Sequence, residues 1–483
     1  MSARSPRRGA SDRPQASGTA ERIVLRVGPP AHGGHCVARP DGDPAGHVVF
    51  VRHTLPGETV RAVLTEKNAR TWRADAVEIL SASPDRVRPV WPEAGPGGVG
   101  GGELSHVALP AQRTWKRWVL ADCLRRIGGE EVAAAVSALP EARGAAVVPV
   151  EPMPGDAAAE ASDGSQERRW AGAGTRTRVA LSVTDDGLAG MHGFRSGRVL
   201  PVTSLPLAVT AVRDLGLTER ALWRRHYRPG TRVQAVAPSA GEPVVLLSGG
   251  GRDRVLTAAG RPTGRRRVEE VVDAAGLGLG ELRYSVHADG FWQAHRDAPG
   301  VLVDRVVRAA LSGAPTAAGT QAGDGPLDPA GTAGVRVVEL YAGAGLFTLP
   351  LAALTGAVRS LEGRERAVSD ARRTLHSRGG ARLLTGRVTA ASVTELGRFA
   401  PDDEPGADVV VLDPPRQGAG REVVEAVAAL GAGRVVMVAC DPAALARDLR
   451  TFMGAGYRPA AMSALDMFPH THHFETITVL ARP

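Results

Sequence analysis

Val335-Arg-Val-Val-Glu-Leu340-Tyr-Ala-Gly343-Ala-Gly345-Leu-Phe-Thr348 is an apolar run of strand length that breaks at two glycines and runs on into a helix-forming segment. Glycines at 343 and 345 would let a ligand approach the backbone where the helix begins. Four more short apolar runs follow, Val358 to Glu362, Ala381 to Leu384, Ala407 to Leu412 and Arg434 to Ala439, separated by helix-length segments. That alternation predicts an α/β domain in which a parallel sheet carries helices on both faces. Open sheets of this kind keep their sites at the carboxyl ends of the strands, so the residues that end each run become candidates.

Glu362 ends the second run, 23 residues after Glu339, where an acidic side chain is expected to hold the ribose hydroxyls of a nucleoside cofactor. A nicotinamide dehydrogenase is the competing reading. The third glycine of the dinucleotide fingerprint is absent, however, with Thr348 at its position, and a mononucleoside such as S-adenosylmethionine fits better. Asp413-Pro-Pro-Arg416 ends the fourth run and brings a carboxylate and a rigid loop to the same crevice. A strand-terminal Asp-Pro is often only a turn, but in this crevice it is read as touching cofactor or substrate.

Cys440 ends the fifth run, and Asp441-Pro442 opens the helix behind it. A lone cysteine on a buried strand is usually a small hydrophobe. Here the strand end, the helix N-terminus and nearby Arg447 are expected to favour a thiolate nucleophile. Downstream, Asp466-Met-Phe-Pro-His470-Thr-His472-His473-Phe-Glu475 puts Glu475 at the start of a final apolar strand, placed to act as a base. The three histidines invite a metal reading, but no convincing second set of ligands accompanies them, and no metal is expected.

Upstream of this domain the organisation changes. Residues 1–20 are polar and basic and read as a disordered tail. Residues 21–88 alternate in short strands around a Gly33-Gly34 turn, a small β-barrel pattern. Pro92 to Gly102 reads as a glycine-rich linker, and Gln112 to Ile127 as a helix with Trp115, Trp118 and Leu124 as its apolar positions. Residues 103–285 as a whole read as a central mixed α+β domain, and 286–483 as the cofactor-binding domain, interrupted by a flexible insertion at 312–334.

Net charge is +8, the footprint of a protein that meets polyanions. Among the 59 basic residues, Lys67 and Lys116 are the only lysines, leaving 57 arginines; a GC-rich genome explains that bias as well as phosphate binding does. Three widely spaced cysteines predict neither disulfides nor structural zinc and suit a reducing cytoplasm. The sequence offers no apolar leader and no membrane-spanning stretch.

Taken in order, these motifs resemble the RNA 5-methyluridine (uracil-C5) methyltransferases, which act on tRNA and ribosomal RNA. Residues 23–88, ending in Arg86-Val-Arg-Pro89, resemble the family's RNA-binding TRAM barrel, an OB-like fold. Phe291-Trp-Gln293-Ala-His295, the glycine motif, Asp413 to Arg416, the Cys440 segment and the run to Glu475 follow in the family's order. The resemblance implies a class I (Rossmann-like) methyltransferase domain that uses S-adenosylmethionine, with Gln293, Tyr341, Leu346, Glu362 and Asp413 lining the cofactor pocket. It further implies Cys440 as the nucleophile that adds to C6 of uracil, and Glu475 as the base that removes the C5 proton.

Two departures stand out. Many TRAM-bearing members carry cysteines for an iron–sulfur cluster after Arg-x-x-Pro; Pro89-Val-Trp91-Pro92 and the glycines here have none, so no cluster is expected. The usual Cys-Asn-Pro is Cys440-Asp441-Pro442, and the added negative charge is expected to raise the thiol pKa. Two rival functions remain at this stage: a catalytically silent RNA-binding or folding factor, and a methyltransferase acting on DNA or a small molecule. The intact Cys440 and Glu475 argue against the first, and the barrel argues for RNA over the second.

Overall fold

The structure, a computed structural model, describes residues 21–40, 46–249, 251–312, 326–327, 329–376, 378–400 and 404–482. The basic tail and most of the expected insertion lie outside the described residues. The C-terminal end of that insertion is structured where flexibility was expected: Pro329–Thr332 is a short helix, and Thr332 Oγ1 donates to Leu354 O at 3.0 Å.

The described residues divide into two compact units, those within 21–31 and 35–84, and those within 32–34 and 85–482. The first is a closed barrel of β1 (Arg22–Ala31), β2 (His35–Pro40), β3 (Val48–Arg52), β4 (Thr59–Lys67) and β5 (Thr71–Ser81), in the order β1-β2-β3-β5-β4. Its core follows from period-two alternation: Leu25 and Val27 of β1, Val49 and Val51 of β3, and Val60 and Ala62 of β4 all point inward. The β1–β4 pairing closes the barrel and leaves no free sheet edge.

The larger unit opens on a packed stretch where a linker was expected. Trp91, Ala94 and Val99 are all buried, and a Cβ at Gly102 would meet the Trp91 ring at 2.8 Å, so only glycine fits there. Next comes helix Leu109–Cys123, which buries Trp115 but leaves Trp118 half exposed, against the sequence expectation. The short strand β6 (Val150–Pro152) follows.

A seven-stranded antiparallel sheet is built from β7 (Arg178–Val183), β8 (Ala189–His192), β9 (Val199–Pro201), β10 (Arg232–Val236), β11 (Val244–Ser248), β12 (Arg254–Thr257) and β13 (Pro262–Thr263). Then β14 (Arg267–Asp273) and β15 (Glu281–His287) form a hairpin.

The remaining strands are β16 (Val337–Leu340), β17 (Val358–Glu362), β18 (Ala381–Thr385), β19 (Val409–Leu412), β20 (Arg434–Ala439), β21 (Arg458–Asp466) and β22 (Glu475–Ala481). They form one sheet with β6, in the order β18-β17-β16-β19-β20-β22-β21-β6. Pairing from β18 to β20 is parallel, and β22 runs antiparallel between β20 and β21. Every residue of β16 and β19 is buried, as in a sheet covered on both faces. Helix Ala298–Leu311 packs on β19, β20 and β22 through Leu302, Val303, Val306, Val307 and Ala310, a stripe at helical spacing. Strand order reverses between β16 and β19, which opens a crevice at their carboxyl ends. The outermost strand, β6, comes from the region read as a separate central domain and pairs in parallel with β21. Among the described residues no helix is long and apolar enough to cross a membrane.

Candidate active site

Five of the sequence-predicted residues stand at one edge of this sheet, because each ends or begins a strand there. Tyr341 follows β16, Glu362 ends β17, Asp413 follows β19, Cys440 follows β20 and Glu475 begins β22. Ala439 pairs with Thr476 across β20 and β22, so Cys440 and Glu475 take the next positions of two adjacent strands. Thr476 Oγ1 donates to Ala439 O at 3.0 Å and ties the two strands together at that point.

The glycine turn sits at the crevice. Tyr341 adopts φ 61°, a left-handed conformation uncommon for a non-glycine residue, and its N–H donates to Leu361 O at 2.9 Å. Gly343 has φ 56°, and a Cβ there would meet nothing within 4 Å, so the space beside this backbone is open. Glu362 accepts from Gly343 N at 3.0 Å and from Arg364 N at 2.8 Å, which fixes the carboxylate against the turn while each oxygen keeps acceptor capacity. Glu339 is buried beneath them; one carboxyl oxygen accepts from Thr348, and the other has no partner among the described residues. Burial, reinforced by Asp413 and Glu362, pushes the Glu339 carboxyl up to about 8.

Gln293 is buried, and its neighbour Trp292 packs on Tyr284, whose hydroxyl donates to Leu346 O at 2.9 Å. The side chain of Leu346 is part of the apolar core. His295 pairs with Asp156 at 3.1 Å, while Phe291 stands exposed.

Electrostatically the catalytic candidates crowd one another. Burial pushes the Cys440 thiol up to about 12, with Glu475, Asp413 and Asp441 adding to the rise and the Arg416 guanidinium opposing it. The expected help from Arg447 is therefore not what the thiol meets: Arg447 donates to Gln417 O, and the opposing cation is Arg416. Burial and Asp413 push Glu475 well above the usual carboxylate range, and its Oε1 has no partner among the described residues. Asp413 rises to about 7 through burial and Glu362.

Asp441 adds the negative charge expected of it, and it does structural work as well. Its Oδ1 accepts from Ala444 N at 2.8 Å, capping helix Pro442–Gly454, and its Oδ2 pairs with His32 Nε2 at 3.0 Å. Burial works against its ionisation, but the bonds from His32 and Ala444 hold it below the usual carboxylate range. From the same helix, Asp448 accepts from Ala419 N at 2.8 Å and Gly420 N at 3.2 Å, anchoring the loop that follows Asp413.

The three histidines each have a separate employment. His470 lies against Gln112, His472 is bonded to Glu103, and His473 Nε2 lies 3.3 Å from Arg416. A guanidinium only donates, so His473 presents an unprotonated Nε2, in keeping with burial and its cationic neighbours holding it down at about 3. Among the described residues no group of three or more His, Cys, Asp or Glu is placed to hold a metal ion. Sequence reading passed over Glu103, Gln112 and Lys116 as site residues. The one signal for them was the rarity of lysine in this chain.

Comparison with known proteins bears on the family and the fold. The family profile described as tRNA (uracil-5-)-methyltransferase matches residues 327–483. An uncharacterized RNA methyltransferase of Bifidobacterium longum is 35% identical, covering 98% of this chain and 99% of that one. A 23S rRNA (uracil(1939)-C(5))-methyltransferase of Alkalilimnicola ehrlichii is 31% identical, covering 94% and 95%. The crystal structure of the Pyrococcus abyssi tRNA (uracil-54, C5)-methyltransferase shares the fold, with a TM-score of 0.60 at 19% identity over 95% of this chain and 100% of that one. Full-length similarity at this level, on a Rossmann-like sheet preceded by a closed barrel, shows that the chain belongs to the RNA uracil-C5 methyltransferase family.

Proposed function

We propose that this protein methylates C5 of a uridine in ribosomal RNA, with S-adenosylmethionine as donor and Cys440 as a covalent nucleophile. The observation that carries the reading is the neighbouring placement of Cys440 and Glu475 at the ends of β20 and β22, beside Asp413. The open backbone at Gly343, the carboxylate of Glu362 and the unpartnered oxygen of Glu339 suit a nucleoside cofactor. Gln293, Tyr341, Leu346, Glu362 and Asp413 would hold it, Leu346 being the apolar member. The cofactor would supply an electrophilic methyl group.

This chain's own residues do the rest. The Cys440 thiol loses its proton to solvent and the thiolate bonds to C6, while the electron pair of the C5=C6 bond moves toward the C4 carbonyl, making C5 nucleophilic. Once C5 carries the methyl group, Glu475 removes the C5 proton. The C–H electron pair re-forms C5=C6 and expels Cys440 as thiolate. A buried carboxylate with a raised pKa suits that task, because it is a stronger base than a solvated one. A uridine in folded RNA must be splayed out to reach the crevice.

Ribosomal RNA is favoured over tRNA because the 23S rRNA enzymes of Alkalilimnicola ehrlichii and Chromohalobacter salexigens are 31% identical over 94% of this chain, whereas the tRNA enzyme that covers 95% of it is 19% identical and the tRNA-named profile matches only residues 327–483. The deciding experiment is nucleoside mass spectrometry of separated tRNA and ribosomal RNA from cells with and without this gene. The reading expects 5-methyluridine to disappear from ribosomal RNA alone. Unchanged 5-methyluridine in both fractions would return the silent-factor reading to the front.

A further inference from the structure

Lys116 is one of two lysines in this arginine-rich chain, and its side chain is wholly buried. Its ammonium pairs with Asp466 and donates to Phe468 O at 3.1 Å. Both acceptors belong to the segment 466–475 that leads to Glu475. Four residues earlier on the same helix, wholly buried Gln112 accepts from His470 N at 2.7 Å through Oε1. Its Nε2 donates to Val107 O at 2.7 Å and Leu104 O at 3.1 Å. Leu104 N donates in turn to His470 O at 2.9 Å, and Glu103 accepts from His472 N at 3.1 Å.

His470 adopts φ 65°, a conformation a non-glycine residue holds only when its surroundings impose it. The backbone of His470 is held from one stretch of chain, residues 103–116, while its ring nitrogen Nε2 lies 3.3 Å from Ala171 O. A compact ammonium with three rotatable donors can serve two acceptors around one turn, which the flat fork of arginine serves poorly. That difference accounts for lysine at this position in a chain that otherwise uses arginine.

We propose that Lys116 is a positioning residue: by holding Asp466 and the Phe468 carbonyl it fixes the turn that carries Glu475 and so sets where the base stands over the target uracil. The inference rests on the reading of Glu475 as the base that clears C5.

The test compares wild type, Lys116→Met, Lys116→Met/Asp466→Leu and Glu475→Gln on ordinary uridine RNA with S-adenosylmethionine. The double variant removes both buried charges together, a change that cores often tolerate, and so keeps the question open to measurement if Lys116→Met alone does not fold. Displacing a base by about 1 Å lowers kcat by about 100-fold. That loss is expected with KM for RNA nearly unchanged, the pattern of an interaction used only in the transition state. A methylated protein–RNA complex should also persist on denaturing gels, because the S–C6 bond cannot break until the C5 proton leaves. A role in stability alone would lower the amount of active enzyme without trapping that complex. If Glu475→Gln traps the complex while the folded Lys116 variants do not, the positioning role is overturned and the base assignment stands. If Glu475→Gln traps nothing, the base assignment itself fails and takes the inference with it.

Discussion

On the proposed mechanism Cys440 must act as a thiolate, in a place that resists one. Burial, Glu475, Asp413 and Asp441 all raise its pKa, toward about 12, and Arg416 opposes them. Below that value the thiolate fraction grows about tenfold per pH unit. Adduct formation with 5-fluorouridine RNA should therefore rise steadily between about pH 6 and about pH 9. Substitutions on the two sides of the thiol should move that profile in opposite directions. Asp441→Asn keeps an oxygen to cap Ala444 N, removes one negative charge and should raise the rate at a given pH. Arg416→Gln removes the opposing cation and should lower it. Stopped-flow or quench-flow adduct kinetics at several pH values check both, and a shift of the same sign in the two variants would refute this account of the thiol. The departure from the family's Cys-Asn-Pro is thus a matter of rate, since Asp441 performs the same helix-capping service that asparagine would.

At the level of elements, the loop after β19 depends on a glycine. Gly418 has φ 86°, and a Cβ there would stand 2.6 Å from Asp448 Oδ2, the group that anchors Ala419 and Gly420. Gly418→Ala should cost about 1–2 kcal/mol in stability and weaken S-adenosylmethionine binding by moving Asp413. Thermal melting and cofactor titration would show whether the two losses occur together. The parts of the site legible in the sequence obeyed the same local logic. Strand ends, the glycine turn, Asp413, Cys440 and Glu475 could be read because each lies within a few residues of the periodicity break that positions it. The hold of Lys116 on Asp466 spans 350 residues, and that of Glu103 on His472 spans 369, so no local pattern announces either. The edge strand β6 escaped notice for another reason: Val150-Glu-Pro152 is too short and too proline-flanked to show an alternation. Trp118 was misjudged because helical spacing finds a stripe but not where the stripe ends.

For the molecule as a whole, a net charge of +8 carried almost entirely by arginine should make RNA affinity strongly dependent on salt. If six phosphates are neutralised, raising salt from about 50 mM to about 200 mM should weaken binding by about a thousandfold. Filter binding across that range measures the slope, and a flat response would argue against a backbone-following RNA surface. The order of strands in the catalytic sheet has one more consequence. Among its eight strands β22 is the last to leave the ribosome, yet it lies between β20 and β21 and begins with Glu475. Until β22 is made, the thiol-bearing strand therefore waits beside a vacant lane, and the sheet can close only when translation has passed that strand. A copy still short of β22 lacks both the strand that fills that lane and the carboxylate proposed as the base, so the proposed chemistry would await them with no inhibitor needed.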